Sequence, residues 1–301
     1  MSSIPSTAEI SRASFQAVLA LYPAFAKQAY GVRLKDPKKV AEAVQRDKWR
    51  FEDLPSQIAA ARNGETTLAM KDIKAGGLTK DALERLVQWK ITHGQFRPFL
   101  PGMVRKNDPS VIQQQTALAF ETLESSDLSS PSTQTIIKAL DIVCKLSGIG
   151  PATGTLILNL YDPTNVPFFQ DELFAWLFPE SKGVKLKYNQ KEYRQLIEAT
   201  QPILERLKVT AMDLEKVAYV LGHKDVVDDE LRQKLDEALS QSLSSKDEPE
   251  TGLDKLKGSA PSADREEIAP KDHPQKTRKR PVGNTSNADE EPRKRRSQRG
   301  K

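Results

Sequence analysis

Residues 145–160 read KLSGIGPATGTLILNL. Two glycines flank one isoleucine, Gly148-Ile149-Gly150, and Pro151 follows at once. Glycine admits positive φ and lets the backbone approach another molecule closely. Proline at a first helical position gives up only an amide that would be unpaired there anyway. Upstream, SPSTQTIIKALDIVCKL places Ile136, Ile137, Leu140, Val143 and Cys144 at steps of three and four, an apolar helix face. The stretch predicts a helix ending near Leu146-Ser147, a turn, and a helix restarting at Pro151, together a helix-hairpin-helix over 135–162. Ile149 is expected to point inward and lock the two helices. The N–H groups of the second helix's first turn, at Ala152 and Thr153, then face outward and form an anion site without any charged side chain. An ordinary helical corner, with glycine as the cap and proline starting the next helix, needs the same residues.

Outward from this corner the chain reads as all-α. TAEISRASFQAVLALY carries Ile10, Phe15, Val18 and Leu19 near helical spacing and is closed by Pro23. Asp36-Pro37 reads as an N-cap followed by proline at the first helical position. A short helix, DLPSQIAAARNG, is expected to end at Asn63-Gly64. LTKDALERLVQWK follows Gly76-Gly77 with Leu83, Leu86 and Val87 on one face. In DPSVIQQQTALAFETLE the inward positions are expected to be Val111, Leu118 and Leu123. Amphipathic helices follow at about 189–208 and 211–240, and no alternating strand pattern is evident.

Composition divides the chain. Residues 244–301 contain no Phe, Trp or Tyr and hold 15 basic against 11 acidic side chains, leaving 31 and 30 before them. The sequence therefore predicts a globular domain over 1–243 and a disordered basic tail over 244–301, because such a tail has too little apolar surface to fold. The net charge of +5 is largely a tail property, so any nucleic-acid contact by the folded part needs a local patch. One candidate is QWKITHGQFRPFLPGMVRKND at 88–108, where Lys90, Arg97, Arg105 and Lys106 interleave with Trp89, Phe96 and Phe99. The aromatics can equally be core with the cations solvated. In the tail, Lys276, Arg278, Lys279 and Arg280 form one basic cluster, and Arg293, Lys294, Arg295 and Arg296 a second, twelve residues on. That spacing suits a bipartite nuclear import signal and a nuclear import receptor as partner.

Cys144 is the single cysteine, which excludes an intrachain disulfide and a four-cysteine metal or iron–sulfur site. His93, His223 and His273 have no ligand spacing. No apolar run approaches a membrane span, and the N-terminal apolar stretch, broken by Pro23, lacks a basic leader. A monomer away from membranes, in a reducing compartment, is expected.

LSGIGPATGTLIL resembles the helix-hairpin-helix of the DNA glycosylase superfamily, and YDPTNVPFFQDELFAWLF extends the likeness. Asp171 stands 23 residues past Gly148, at the start of a helix, where that superfamily carries its catalytic aspartate. WKITHGQFRPFLP and VPFFQDELFAWL are similar to a fungal branch of such proteins. The resemblance covers about 135–178 and implies DNA as partner, Asp171 as catalyst, and Phe168, Phe169 and Trp176 as walls for an extruded base. It requires no cofactor and leaves room for a monovalent cation at the hairpin backbone. Members that also cleave the backbone carry a lysine where this chain has Ala152, so Schiff-base chemistry by that route is excluded and an enzyme of this kind would be monofunctional. Gly154 stands where alanine is usual and should loosen the helix. Asp171 also reads as a plain N-cap, and the phenylalanines and tryptophan as plain core. Three functions follow: a nuclear base-excising glycosylase, a non-catalytic chromatin or repair adaptor, and a protein-interaction module with a purely structural hairpin.

Overall fold

The computed structural model describes residues 4–65, 70–124, 130–181 and 185–240, all within one compact unit, Met1–Glu248. The tail and its basic clusters, Lys276 to Arg280 and Arg293 to Arg296, lie outside the described residues. Among the described residues the chain is mostly helical, and no helix is long and apolar enough to cross a membrane.

Helix α1 (Arg12–Ala20) starts at Ser11, whose hydroxyl accepts from the Ser14 amide. Pro23 does not end an element. It occupies the first turn of α2 (Tyr22–Leu34), where its missing N–H has no partner to lose. Asp36 caps α3 (Pro37–Lys48) through the Lys38 amide, as its side chain and the following proline require. A π-helical turn, Trp49–Asp53, joins α3 to α4 (Leu54–Arg62), which ends at Asn63 and at Gly64 with φ +75°.

A two-residue antiparallel ladder follows, β1 (Ile73–Lys74) with β2 (Gly77–Leu78), which the sequence pattern did not reveal because so short a ladder has no periodicity. Gly77 is obligatory there, since a Cβ would fall 2.1 Å from the Gln113 carbonyl oxygen. Helix α5 (Lys80–His93) is capped by Thr79, and α6 is a short Leu100–Val104 segment. In α7 (Pro109–Glu124) the buried stripe is Ile112, Thr116, Ala119, Phe120 and Leu123. Val111 and Leu118 are 42% and 46% exposed, so of the three expected positions only Leu123 faces inward. The β-ladder packs on this helix, with the Leu78 amide donating to Thr116 Oγ1, and that contact selects the stripe one position along.

Helix α8 (Thr133–Val143) and α9 (Pro151–Tyr161) form the hairpin pair, with Cys144 half-buried at the C-cap of α8. Then come α10 (Asp171–Leu177), α11 (Gln190–Leu207), α12 (Ala211–Gly222) and α13 (Asp229–Ser240). Capping boxes open α11, at Asn189 and Glu192, and α12, at Thr210 and Asp213. The expected single helix over 211–240 is thus two, broken at residues 223–228.

Two buried polar nodes hold these helices in register. Arg50, supplied by the π-helical turn, pairs with Glu215 of α12 at 2.9 Å and donates to Asn159 Oδ1 of α9 at 2.6 Å. Its guanidinium lies 4.3 Å over Phe51 and 5.0 Å over Trp89. Asp47 of α3 accepts from Tyr22 and Tyr30 hydroxyls and from Trp89 Nε1, all at 2.8–3.0 Å. Distant parts of the chain are also clasped. Arg206 of α11 donates to the Ile10 and Thr7 carbonyls at 2.9 and 2.6 Å, Trp176 Nε1 to the Pro5 carbonyl at 3.0 Å, and α1 packs on α12 and α13.

Candidate functional site

The corner at 145–151 takes the shape its glycines require. Gly148 has φ +79°, and a Cβ there would stand 2.9 Å from Met103 Cβ and 3.2 Å from the Val104 amide nitrogen. The turn therefore packs directly on α6. Ile149 is buried and ties α8 to α9. Gly150 is the N-cap of α9 and has no side chain to occupy the helix start. Among the described residues, the N–H groups of Gly148, Gly150 and Ala152 have no hydrogen-bond partner. Thr153 departs from expectation: its amide donates to the Gly150 carbonyl at 2.9 Å and its side chain is buried, because the first turn of α9 closes with a tight i→i+3 bond. Asn107 grips the turn from outside, accepting from the Ser147 amide at 2.7 Å and donating to its carbonyl at 2.9 Å. Gly154 is a packing requirement, since a Cβ would fall 2.6 Å from Leu140 Cδ1 and 3.1 Å from Val143 Cγ2.

The hairpin forms one wall of a cavity of about 570 Å³. Gly148, Gly150, Ala152 and Thr153 line it together with Lys90, Arg97, Phe168, Phe169 and Asp171, so residues far apart in sequence converge on one space. Asp171 does not cap α10. Gln170 holds the cap position, Asp171 is the first helical residue, and its carboxylate accepts from Tyr188 Oη at 2.6 Å and Gln95 Nε2 at 2.8 Å. Tyr188 reaches it from a left-handed backbone position, φ +53°, which is uncommon for a side chain of this size. Gln95 is steadied in turn by Arg97 Nη2 at 2.9 Å.

The basic residues of 88–108 separate. Arg97, Arg105 and Lys106 are exposed; Arg105 lies 3.6 Å from Glu84, and neither Arg105 nor Lys106 lines the cavity. Lys90, expected on the outer surface, is half-buried on the cavity wall. Burial lowers its pKa, the Asp171 charge partly opposes that, and Arg97 lowers it further. The aromatics divide too. Trp89 is core, whereas Phe96 and Phe99 at the cavity margin are 66% and 83% exposed. Trp176 is not a wall of this cavity. Five residues beyond Asp171 on a helix is about 140° around the axis, and Trp176 turns toward Pro5 instead. Phe168 and Phe169 are both wall and core, Phe169 lying 5.7 Å from the Tyr193 ring.

Sequence reasoning missed three further wall residues. Gln170 is 4% exposed, and both polar atoms of its amide lack partners. The His93 ring lies between those of Trp89 and Tyr219, at 4.4 and 4.0 Å, with His223 beyond at 3.8 Å, so two histidines distant in sequence share one stack. The Tyr30 proton goes to Asp47, which leaves its oxygen to accept from His93 Nδ1–H at 2.9 Å and His93 Nε2 as the bare, unpartnered nitrogen. Burial holds His93 well below its ordinary pKa. No group of three or more His, Cys, Asp and Glu residues suited to a metal occurs among the described residues.

Glu172, the third, packs against Gly222, and burial pushes its carboxyl up from 4.5 to about 7. With the folded value above the unfolded one, its contribution to stability is complete below pH 4.5 and is lost as pH rises through about 7. Glu172→Gln is expected to be more stable than the natural protein at pH 8, by roughly 2–3 kcal/mol, and no more stable than it at pH 4.5. Thermal unfolding at both pH values checks this; an equal gain at both would overturn it.

Chemically, the cavity combines unpaired backbone donors for an anion, a positioned carboxylate, an unpaired amine and an unpaired amide. Protein-family models, curated proteins and solved structures were all compared with the chain, and none matches it.

Proposed function

We propose that the chain is a nuclear DNA-binding protein of helix-hairpin-helix glycosylase-like architecture whose cavity receives a base turned out of the duplex. One observation carries this reading: the free N–H groups of the hairpin and the carboxylate of Asp171 line the same cavity. A phosphate seated on Gly148, Gly150 and Ala152 leaves its own nucleotide within reach of Asp171. The volume falls within the range of small-molecule sites. Phe168 and Phe169 supply apolar walls, and the unpartnered Gln170 amide supplies a donor and an acceptor for a base edge. Asp171 then stabilises the positive charge that develops on the sugar as the base departs. Exposed Phe96 and Phe99, beside Arg97, meet the strand around the extruded nucleotide. The basic clusters after residue 244 direct nuclear import and add sequence-independent affinity.

Asp171→Asn and Gly148→Ala test the reading on the full chain. Asp171→Asn is expected to bind duplex DNA as before while losing ~100-fold or more of its base release across a panel of damaged and mismatched duplexes. Gly148→Ala is expected to weaken binding, because it strains a left-handed position and displaces α6. Neutralising the two tail clusters in parallel separates their affinity from the hairpin's. Binding without base release by the natural protein would favour the adaptor function. Indifference of binding to a folded Gly148→Ala variant would leave the hairpin purely structural.

A further inference from the structure

We propose that the groove between α2 and the start of α13 seats an amphipathic helix of a partner protein, one that carries an aliphatic face flanked by acidic side chains. The groove shares no lining residue with the hairpin cavity, so this goes beyond the function above and does not depend on it.

Ala24, Gln28 and Gly31 follow one another on α2 at steps of four and three, so they share one helix face, and that face forms a wall of a groove of about 760 Å³. Val40 of α3, with Val226, Val227 and Leu231 at the start of α13, supplies apolar walls. Val32 and Val226, both on this groove, are 59% and 38% exposed. The groove is held in shape by a clamp of two hydrogen bonds. Gln28 Nε2 donates to Asp228 Oδ2 at 2.6 Å, and the Asp228 amide donates back to Gln28 Oε1 at 2.9 Å. The clamp joins α2 to the segment that enters α13, so a partner meets a formed surface and loses little to ordering it.

Gly31 sets how closely the partner approaches. Glycine inside a helix is destabilising relative to alanine. At Gly77, Gly154 and Gly222 a Cβ would meet atoms of the same chain at 2.1, 2.6 and 2.7 Å. At Gly31, within α2, it would meet nothing within 4 Å, so no contact inside the chain accounts for the missing side chain. The notch it leaves admits a second helix at short range. Charge then selects that helix. Asp228 is engaged by Gln28 and by the Leu231 amide, and Glu230 pairs with Lys234 at 2.6 Å. Lys27 on the groove wall, and Lys35, Lys38 and Lys39 just before Val40, are exposed, and among the described residues their ammonium groups have no ion pair. The uncommitted charge at the rim is therefore positive and complements Asp or Glu. Rim charges steer and discriminate, while the valine floor supplies affinity for Leu, Ile or Val at i, i+3, i+4 and i+7 of the partner. A phosphate backbone offers nothing to exposed valines, which places a protein partner ahead of nucleic acid.

The probes are displayed helical peptides with aliphatic residues at i, i+3, i+4 and i+7 and flanks drawn evenly from Glu and Lys, selected on the full chain. Glu-flanked sequences are expected to be enriched, and a synthetic one to bind less tightly as salt rises. Gly31→Leu fills the notch from a helical position facing open space, so it is expected to melt no lower than the natural protein while weakening that peptide about tenfold or more. Gly31→Ala is expected to give a smaller loss in the same direction, and it decides the matter should the leucine variant misfold. Lys27→Glu combined with Lys35→Glu is expected to turn the enrichment toward Lys-flanked sequences. Enrichment of Lys-flanked peptides by the natural protein, no enrichment, or binding indifferent to folded Gly31 variants overturns the proposal. Self-association of the chain that Gly31→Leu abolishes also overturns it, by making a second copy the occupant. Loss of duplex DNA binding in the lysine pair variant, with peptide selection unchanged, assigns the rim to nucleic acid instead.

Discussion

Arg50→Met is expected to destabilise the protein by about 3–5 kcal/mol, the range for removing one partner of a buried ion pair. Methionine preserves much of the side chain's length and its contact with Phe51 and Trp89. It abandons the Glu215 carboxylate, which is buried beside Arg50 at 2.9 Å, and the Asn159 oxygen at 2.6 Å. The cost therefore comes from an uncompensated acceptor rather than from lost volume. Because three segments meet at this guanidinium (the π-helical turn, α9 and α12), the loss should appear as a lower midpoint of one cooperative transition, roughly 10 °C in thermal unfolding. Coupling Arg50→Met with Glu215→Leu should recover most of it, since neither charge is then stranded. A single substitution costing less than about 1 kcal/mol would mean that the pair is not desolvated as described.

Asp47→Ala is the second large effect. One carboxylate accepts from Tyr22, Tyr30 and Trp89, and deleting it strands three buried donors at about 1–3 kcal/mol each. A total near 3 kcal/mol or more is expected, because some donors will find water. Asp47→Asn should cost less: its amide oxygen can still serve the position shared by Tyr30 and Trp89, and only the second contact to Tyr22 is lost. Urea titrations followed by tryptophan fluorescence distinguish the two variants. Equal losses would mean that the volume of the side chain, not its acceptors, matters. Trp89 and His93 both line the cavity, so if the cavity binds DNA as proposed, the alanine variant binds it more weakly even where it remains folded.

Much of the fold was legible where local chemistry acts alone. Asp36-Pro37 caps α3, Asn63-Gly64 ends α4, and Gly148 through Pro151 turn α8 into α9, as their side chains and backbone freedoms dictate. Legibility failed where tertiary contacts chose between local options. PSVIQQQTALAFETLE offers two apolar stripes one residue apart, and only docking of the β-ladder on Thr116 selects between them. Pro23 marks a boundary without saying whether it ends one helix or begins another. Arg50 sits in WRFED, where three of five residues are charged and nothing local names a partner for a buried guanidinium, because its partners lie 109 and 165 residues away.

The site divides in the same manner. The spacing of Asp171 from the hairpin pointed to its place, while Tyr188 and Gln95, which orient it, arrive from unrelated segments. Lys90 did carry a signal. It falls three, four and seven residues after Val87, Leu86 and Leu83, all buried, so a cation stands in register with an apolar stripe. Gln170 carried none, since nothing in VPFFQDELF separates an unpaired amide from an ordinary helix start.

The clasp of Arg206 on the Thr7 and Ile10 carbonyls has a bearing on biosynthesis. Thr7 and Arg206 are 199 residues apart, and α1 packs on α12 and α13. While the ribosome is still translating the middle of the message, α1, which carries the buried Phe15 and Val18, lacks the cover that α12 and α13 later supply. Completion of this core is thus deferred until α13 clears the exit tunnel, and the nascent polypeptide shows greasy surface throughout that interval. Chaperone occupancy of the emerging chain should accordingly persist until late in elongation.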